Sequence, residues 1–316
     1  MSVITIEHLH KDFGRLAVLD DINLEVKRGE VFGFLGPNGA GKTTTIRILL
    51  GLLEPTSGSA LVFGKRLSTE DGLRRRIGVL LEHDALYKRM SAYANLDYCA
   101  RLYDVEDREE RIAHLLHFVD LFERKDEPIA RYSTGMRRKL AIARALVHEP
   151  EILFMDEPTS GLDPEAQTMI RDLISELSAD KQITVFFNSH NLYEVQRICT
   201  KVAILREGRI KTCDDLQNLR AGGGGVQLEV TVSGADDAQR ARELLEGIGI
   251  VEAVKINDTG GGQQPWKVHI SLNGHGNPQI IKLLAGGGVR IEEAVRVTRS
   301  LEDIYLETME TAGEEQ

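Results

Sequence analysis

Cysteine is scarce in this sequence, and the few cysteines present are not arranged as pairs. Cys99, Cys199 and Cys213 are odd in number and far apart, and no C-x-x-C motif occurs. This pattern gives no support for a disulfide framework, and the simplest account is a chain with reduced thiols in a cytosolic setting.

Long apolar runs are missing as well. No run approaches the roughly 20 residues that a helix needs to cross a bilayer. Near the start of the chain, His8, His10, Lys11 and Asp12 interrupt any apolar core of signal-peptide length. If this protein works at a membrane, we expect a separate polypeptide to hold it there.

Clustered basic charge is the third absence. The net charge is -10, only 5% of the residues are aromatic, and no block of Lys and Arg stands out. A nucleic-acid surface needs such a block to neutralise phosphates, so a nucleic-acid partner is not expected. The hydrophobic content of 42% is ordinary for a globular protein and argues against an unfolded chain.

The composition changes at a run of four glycines, residues 222–225. Before it, apolar strand-like segments alternate with helical ones, which is typical of an α/β domain with a mostly parallel sheet. We predict such a domain at residues 1–215, with a helical subdomain at about residues 83–140. A Gly-rich linker at 216–225 and a small α+β domain at 226–316 would follow. The small domain reads β-α-β-β-α-β, the ferredoxin-like arrangement.

A glycine-rich loop stands between an apolar strand and a helical segment in the first domain. It fits G-x-x-x-x-G-K-[ST] and comprises Gly36, Pro37, Asn38, Gly39, Ala40, Gly41, Lys42 and Thr43, with Thr44 next in the chain. In such a loop the backbone N–H groups point at phosphate oxygens, and the helix N-terminus adds its positive end. Lys42 can then reach the β- and γ-phosphates, and the Thr43 hydroxyl can bind Mg²⁺. The strand before and the helix after disfavour the alternative, a Gly-rich turn without a ligand.

Two acidic residues, Asp156 and Glu157, end a later apolar strand that begins at Ile152. In open α/β sheets, ligands bind at the carboxyl ends of the strands. We therefore expect Asp156 to hold Mg²⁺, through water, and Glu157 to polarise the attacking water. For these acids taken alone, a solvated strand end is the preferred interpretation. Together with the phosphate loop, the metal-binding and catalytic roles are preferred instead.

With these motifs, about the first 215 residues resemble the ABC (ATP-binding cassette) ATPase family. The segment Y-S-T-G-M at residues 132–136 is similar to the family signature, usually written L-S-G-G-Q. The segment S-G-L-D ending at Asp163 resembles the D-loop, and N-S-H ending at His190 resembles the switch-histidine loop. Phe13 stands where the family places the ring that stacks on adenine.

The resemblance implies a head-to-tail dimer around two ATP molecules. Each site would combine the phosphate loop of one subunit with the signature of the other, so Ser133 and Gly135 would face the partner's γ-phosphate. Asp163 would belong to the same nucleotide site, and His190 would hydrogen-bond the γ-phosphate and orient the water. The alternatives are that Ser133 is a simple N-cap and that His190 is a surface histidine.

Two departures from the family pattern favour a particular branch. Glu82 stands where the family commonly has Gln, and the signature reads S-T-G-M, so it lacks the glycine beside Gly135 and the final Gln. Both features resemble ATPases of drug and antibiotic-peptide exporters, whose small C-terminal extension ends like the segment S-L-E-D-I-Y at residues 300–305. A carboxylate at Glu82 would be a catalytic group and a Mg²⁺ ligand, unless it points to solvent.

We therefore predict an ATP-hydrolysing subunit, with ATP and Mg²⁺ as cofactors, that drives a separate membrane-spanning permease, most simply an exporter. It would act with a second ATP-binding subunit of the same kind, peripherally at the cytoplasmic face of the cell membrane. A soluble regulatory ABC ATPase is the alternative. An ordinary GTPase is disfavoured, because no N-K-x-D guanine motif occurs.

Overall fold

The computed structural model describes residues 1–81, 84–181, 183–221, 226–257, 266–272, 276–297 and 300–310. These residues form two compact units, Met1–Leu216 and Gln217–Glu310. The elements of the first unit are β1 (Ser2–Phe13), β2 (Leu16–Lys27), β3 (Val31–Leu35), α1 (Lys42–Leu49), β4 (Ser57–Val62), β5 (Ile77–Leu80), α2 (Ala92–Leu102), α3 (Arg108–Phe118), α4 (Thr134–Ala145), β6 (Ile152–Asp156), α5 (Pro164–Lys181), β7 (Thr184–Ser189), α6 (Leu192–Ile198), β8 (Lys201–Arg206) and β9 (Arg209–Asp215).

A six-stranded sheet forms the centre of the first unit. Its strand order is β5-β6-β7-β3-β8-β9, and all neighbours are parallel except the last pair. Every residue of β3, β6 and β7 is buried. Strands covered on both faces require such continuous apolar runs, which is why the sequence shows no alternation there.

A second sheet, of three antiparallel strands in the order β2-β1-β4, completes the hydrophobic core of this unit. The core joins both sheets to α1, and its members include Ile4, Leu9, Leu19, Ile22, Phe32, Phe34, Ile46, Phe154 and Phe186. The rings of Phe32 and Phe186 stack with centroids 5.5 Å apart, across the parallel pairing of β3 and β7. This packing fixes the register of β3 and β7, and therefore the positions at which these strands end next to the site.

Three strand ends meet at one edge of the large sheet. Asp156 of β6 is paired with Asn188 of β7, and Leu35 of β3 is paired with Ser189 of β7. The loops that follow β3, β6 and β7 therefore begin side by side. This edge is the place where ligands bind in open α/β sheets.

The helices α2, α3 and α4 lie in the region expected to be a helical subdomain, and α4 continues to Ala145, five residues beyond the expected end at about residue 140. Short 3-10 helices at Phe122–Arg124 and Ile129–Arg131 connect α3 to α4.

The second unit contains α7 (Leu216–Ala221), whose first residue closes the first unit, then β10 (Val226–Val232), α8 (Ala235–Leu245), β11 (Val251–Asn257), β12 (Trp266–Leu272), α9 (Asn277–Gly286), β13 (Ile291–Val297) and α10 (Leu301–Glu310). Its sheet has the order β11-β12-β10-β13, and every neighbouring pair is antiparallel. This is the split β-α-β-β-α-β topology of ferredoxin-like folds, as the order of elements in the sequence suggests.

The segment expected to be a linker differs from the prediction. Residues 216–221 form the helix α7, and only residues 222–225, which lie outside the described residues, remain of the predicted linker. Leucine, glutamine, arginine and alanine in this stretch are good helix formers, so the glycine run and not the residues before it marks the change.

Candidate nucleotide site

The loop between β3 and α1 adopts a conformation that only glycine tolerates at several positions. Gly39 and Gly41 have φ angles of 84° and 108°. A Cβ on Gly41 would lie 2.5 Å from the Leu19 side chain, and one on Gly36 would lie 2.4 Å from the Leu205 carbonyl oxygen. The chain therefore curls tightly here, with Ala40 buried and its N–H donating to the Pro37 carbonyl at 3.2 Å.

The helix α1 begins at Lys42 directly after this loop. Gly41 is its N-cap residue and provides no side-chain hydrogen bond to the first turn. The first N–H groups of a helix have no partner within the helix, so they are available to an anion.

Lys42 lies inside the curl of the loop. Its ammonium group donates to the carbonyl oxygens of Gly36 at 2.7 Å and Pro37 at 3.2 Å, and the residue is 6% exposed. Burial lowers the pKa of Lys42, and the nearby carboxylates of Glu157 and Asp156 act in the opposite direction. The charge is thus held at the phosphate loop by neutral carbonyls, which a phosphate can replace.

Asp156, at the end of β6, faces the start of α1. Its Oδ2 accepts a hydrogen bond from the Thr43 hydroxyl at 3.2 Å, and its Oδ1 accepts one from the Asn188 side-chain amide. The Asn188 Oδ1 atom is buried and has no hydrogen-bond partner among the described residues. Asn188 is the first residue of the N-S-H segment and is not among the predicted site residues. Its position near the end of β7, beside the end of β6, is the sequence signal that indicates a place at the site.

The oxygens of Thr43 and Asp156 fit a Mg²⁺ ion of a nucleotide complex. Mg²⁺ takes oxygen ligands, keeps several waters and is usually bound by one or two carboxylates together with substrate phosphates. Over the described parts of the chain, no group of three His, Cys, Asp or Glu side chains could hold a metal alone. An ion held jointly with a phosphate is therefore the arrangement that these residues can support.

Glu157 and His190 form a pair beside Asp156. The His190 Nδ1 atom lies 2.9 Å from Glu157 Oε1, and the side chains are 56% and 16% exposed, respectively. Glu157 has a φ of 49°, a left-handed conformation that is uncommon for a residue other than glycine. Its N–H donates to the Asn188 carbonyl at 2.9 Å. The carboxylate is thus aimed by the backbone and oriented by an imidazole.

One cleft gathers most of the residues expected at the site. It is lined by Leu16, Val18, Asn38, Gly39, Gly41, Lys42, Thr43, Thr44, Asp156, Glu157, Ser160, Asn188 and His190. Ser160, the first residue of the S-G-L-D segment, also lines the cleft. The phosphate loop and the two strand ends therefore face one space.

Phe13 does not line the cleft itself but lies next to a residue that does. It is 50% exposed at the end of β1 and is paired with Leu16 at the start of β2. The Lys11 ammonium lies 4.9 Å from the centroid of its ring. An exposed aromatic ring at this hairpin is open to stacking with a flat ligand.

Ser133, Gly135 and Asp163 are not among the residues that line the cleft. Ser133 is the N-cap of α4, where its Oγ accepts from the Met136 N–H at 3.2 Å, and Asp163 accepts from the Ala166 N–H at 2.9 Å near the start of α5. A Cβ on Gly135 would lie 3.0 Å from Ala166 Cβ. These residues are thus grouped at two helix starts, apart from the phosphate loop of their own chain. Glu82 lies outside the described residues.

The sequence profile of the ABC transporter family matches residues 19–160. Over its whole length the chain is similar to YhcH of Bacillus subtilis (strain 168), an uncharacterized ABC transporter ATP-binding protein. The identity is 34% over 317 residues, covering 100% of this chain and 99% of the relative. The chain belongs to the ABC transporter ATP-binding proteins.

Other ABC transporter proteins match about two thirds of this chain. The bacitracin transport ATP-binding protein BcrA of Bacillus licheniformis is 40% identical over 210 residues, 66% of this chain and 68% of the relative. The Nod factor export ATP-binding protein I of Cupriavidus metallidurans (strain ATCC 43123 / DSM 2839 / NBRC 102507 / CH34) is 40% identical over 212 residues, 66% and 69% of the two chains.

A solved ABC structure shares the fold. CbiO1 from Clostridium perfringens, part of the ABC transporter complex cbiONQ, superposes with a TM-score of 0.64 at 30% identity and covers 69% of this chain and 90% of its own. The predicted ABC family and its α/β nucleotide-binding fold are thereby confirmed. None of the described helices combines the length and the apolar character needed to cross a bilayer.

Proposed function

We propose that this ABC protein binds ATP with Mg²⁺ in the cleft, hydrolyses the bond between the β- and γ-phosphates to give ADP and phosphate, and thereby drives a separate membrane-spanning subunit of an exporter. The observation that carries the proposal is the convergence of Lys42, Thr43, Asp156, Glu157 and His190 at one sheet edge. The family membership and the relatives named for bacitracin transport and Nod factor export support the transport role.

Each of these side chains has a distinct part in binding. The open N–H groups at the start of α1 and the Lys42 ammonium bind the phosphates, together with the loop residues from Gly36 to Thr44. Thr43 and Asp156 would hold Mg²⁺, which would supply positive charge to the phosphate oxygens. Phe13 stacks on the adenine from the β1–β2 hairpin.

Glu157 acts as the general base and His190 as its orienting partner. The carboxylate takes a proton from the attacking water, and its aim is fixed because the backbone of Glu157 is held to β7. The Nδ1 atom of His190 lies 2.9 Å from Glu157 Oε1, and its other ring nitrogen hydrogen-bonds the γ-phosphate.

The residues that lie outside the cleft are explained by a second copy of the chain. In a head-to-tail dimer, Ser133, Gly135 and Asp163 of one copy meet the nucleotide bound by the other. The start of α4 then presents its positive end to that γ-phosphate. Such a dimer would work peripherally at the cytoplasmic face of the membrane, held there by the permease subunit.

The proposal is tested with the purified chain and the variant Glu157→Gln. We expect ATP binding to remain and hydrolysis to fall by about 10²–10⁴, the usual loss when a general base is removed. The ATP-loaded variant should accumulate as a dimer, which size-exclusion chromatography detects. The matched control is Glu176→Gln, an exposed carboxylate on α5, which should hydrolyse ATP at the wild-type rate. Hydrolysis by Glu157→Gln at the wild-type rate would contradict the proposed base.

A further inference from the structure

A buried arginine, Arg138 on the second turn of α4, connects two loops of the site. The residue is 3% exposed. A buried guanidinium is tolerated only where its donors are satisfied, so the groups around it show what it holds in place.

One side of the guanidinium binds the chain that follows β6. Nε of Arg138 donates to the Pro158 carbonyl oxygen at 2.6 Å, and a terminal nitrogen donates to the Glu157 carbonyl oxygen at 2.5 Å. The same Glu157 carbonyl also accepts from the Ser160 N–H at 3.2 Å. Arg138 is thus hydrogen-bonded directly to the backbone carbonyl of Glu157, the proposed general base.

The other side of the guanidinium binds the chain that follows β5. Its second terminal nitrogen donates to the Leu81 carbonyl oxygen at 2.9 Å and to Asp84 Oδ1 at 3.2 Å. Because β5 and β6 are parallel neighbours, these two loops leave the sheet side by side. A planar fork with five donors can bond both at once, whereas a lysine ammonium, a point charge, cannot span them.

The left-handed backbone of Glu157 explains why such a clamp is needed. A residue other than glycine whose backbone φ is 49° returns to an extended or helical conformation unless its neighbours hold it. The Asn188 carbonyl holds the N–H of Glu157, and Arg138 holds its carbonyl. Both peptide groups of the residue are therefore fixed, one by β7 and one by α4.

We infer that Arg138 is a positioning residue for hydrolysis: it fixes the Glu157 peptide and links it to the helix that begins at Ser133. The inference rests on the proposed function, in which Glu157 is the base and Ser133 faces the partner's nucleotide. Because Ser133 and Arg138 lie on one helix, a displacement at its start moves the clamp on Glu157.

The test compares Arg138→Lys with wild type in steady-state ATP hydrolysis by the full chain. We expect kcat to fall by about 10²-fold, the scale for a misplaced catalytic group, with KM for ATP within about twofold. In a double variant with Glu157→Gln, the second change should cost almost nothing, because Arg138 acts through Glu157. A stability role alone would give additive losses.

Arg111→Lys is the matched control. Arg111 is a partly buried arginine on α3 that donates to the Leu146 and Val147 carbonyl oxygens at 2.6 and 3.3 Å, away from the cleft. Arg111→Lys should keep kcat within about twofold of wild type, since it makes the same substitution at an arginine that does not contact Glu157.

Three outcomes would overturn the inference. One is a wild-type kcat for Arg138→Lys while Glu157→Gln is slow, which leaves the proposed function intact. Another is additive losses in the double variant. The third is that both Arg138→Lys and Arg138→Gln lose cooperative unfolding and nucleotide binding, which would make the residue purely structural. Normal hydrolysis by Glu157→Gln would instead reject the proposed base, and the two failures are therefore distinguishable.

Discussion

Asn188 contributes to the site through Asp156, not through the reacting atoms. Its amide is bonded to the carboxylate that we expect to hold Mg²⁺, and its carbonyl fixes the N–H of Glu157. The hydrogen bond to Asp156 comes from the Asn188 side-chain amide, whereas the one to Glu157 comes from the Asn188 backbone carbonyl. The two contributions can therefore be separated by mutation.

We expect Asn188→Ala to raise the Mg²⁺ concentration needed for half-maximal hydrolysis, because Asp156 loses the partner that orients it. A tenfold rise is the lower end of the scale for outer-shell changes. Loss of the buried hydrogen bond should also destabilise the chain by about 1–3 kcal/mol. Titration of ATPase activity with Mg²⁺ measures the first effect and denaturant unfolding the second. Asn23→Ala, whose side chain accepts from the His8 N–H on the surface, is the control, and matching Mg²⁺ curves for both variants would contradict the role.

The residues of the site were predictable to different degrees. Lys42, Thr43, Asp156 and Glu157 stand in motifs whose spacing encodes their chemistry, and the structure gathers them in one cleft. Arg138 could not be found this way, because its partners are backbone carbonyls of residues distant in sequence, and carbonyls carry no sequence signal. The role of Glu82 stays a prediction.

At the scale of elements, a glycine decides where α1 ends. The apolar run after the phosphate loop continues to Leu53, but α1 ends at Leu49. Gly51 has a φ of 66°, the Leu52 N–H donates to the Arg47 carbonyl, and the Gly51 N–H donates to the Ile48 carbonyl. This is a Schellman cap, and a Cβ on Gly51 would lie 2.6 Å from the Ser68 nitrogen.

Tyr87, in the loop before α2, and Tyr98, within α2, form an exposed aromatic pair that fits a docking role. The rings of Tyr87 and Tyr98 meet edge to face with centroids 5.3 Å apart, and the residues are 52% and 47% exposed. Asn95 holds the backbone of Tyr87 through bonds to its N–H at 2.9 Å and its carbonyl at 3.2 Å. We propose that this rigid apolar surface receives a helix of the membrane subunit.

We expect Tyr87→Glu to weaken the association of the chain with membranes of its source cells while its ATPase activity in solution stays within about twofold, because Tyr87 is not among the residues that line the cleft. Sedimentation with membranes and a hydrolysis assay on the same preparation measure the two effects. Leu52→Glu places the same charge at another exposed apolar residue and should leave both membrane association and ATPase activity at the wild-type level. Equal loss of both activities in Tyr87→Glu would argue against docking.

At the scale of the whole molecule, the two compact units separate nucleotide chemistry from the small domain. Every residue that lines the cleft belongs to Met1–Leu216. The second unit has its own core, which includes Leu228, Val230, Val268 and Ile270. Because this unit has an independent core and no share in the cleft lining, we expect it to be dispensable for ATP binding.

A chain that ends at residue 221 should therefore bind ATP with a Kd within about threefold of the full chain, since each unit buries its own apolar side chains. Equilibrium binding of a fluorescent ATP analogue measures this, with circular dichroism to confirm that the shortened chain is folded. Loss of binding by a folded shortened chain would assign part of the site to the second unit.

The sequence was most informative about this division where composition changes abruptly, at the four glycines. The β-α-β-β-α-β order was readable from alternating apolar segments, but the sheet order β11-β12-β10-β13 was not, because long-range pairing is decided by packing. The prediction of a linker over α7 was wrong because it depended on the neighbouring glycines and not on residues 216–221 themselves.

The uncapped start of α1 links the stability of this fold to the concentration of nucleotide around it. Because Gly41 supplies no side-chain cap, a bound phosphate completes the first turn of the helix, and the ligand becomes part of the fold. Mass action then stabilises the loaded chain, by about 2.7 kcal/mol when the free ligand is a hundred times its Kd. In a cell whose nucleotide pool falls, the emptied chains would be the first to open locally and the first that proteases cut.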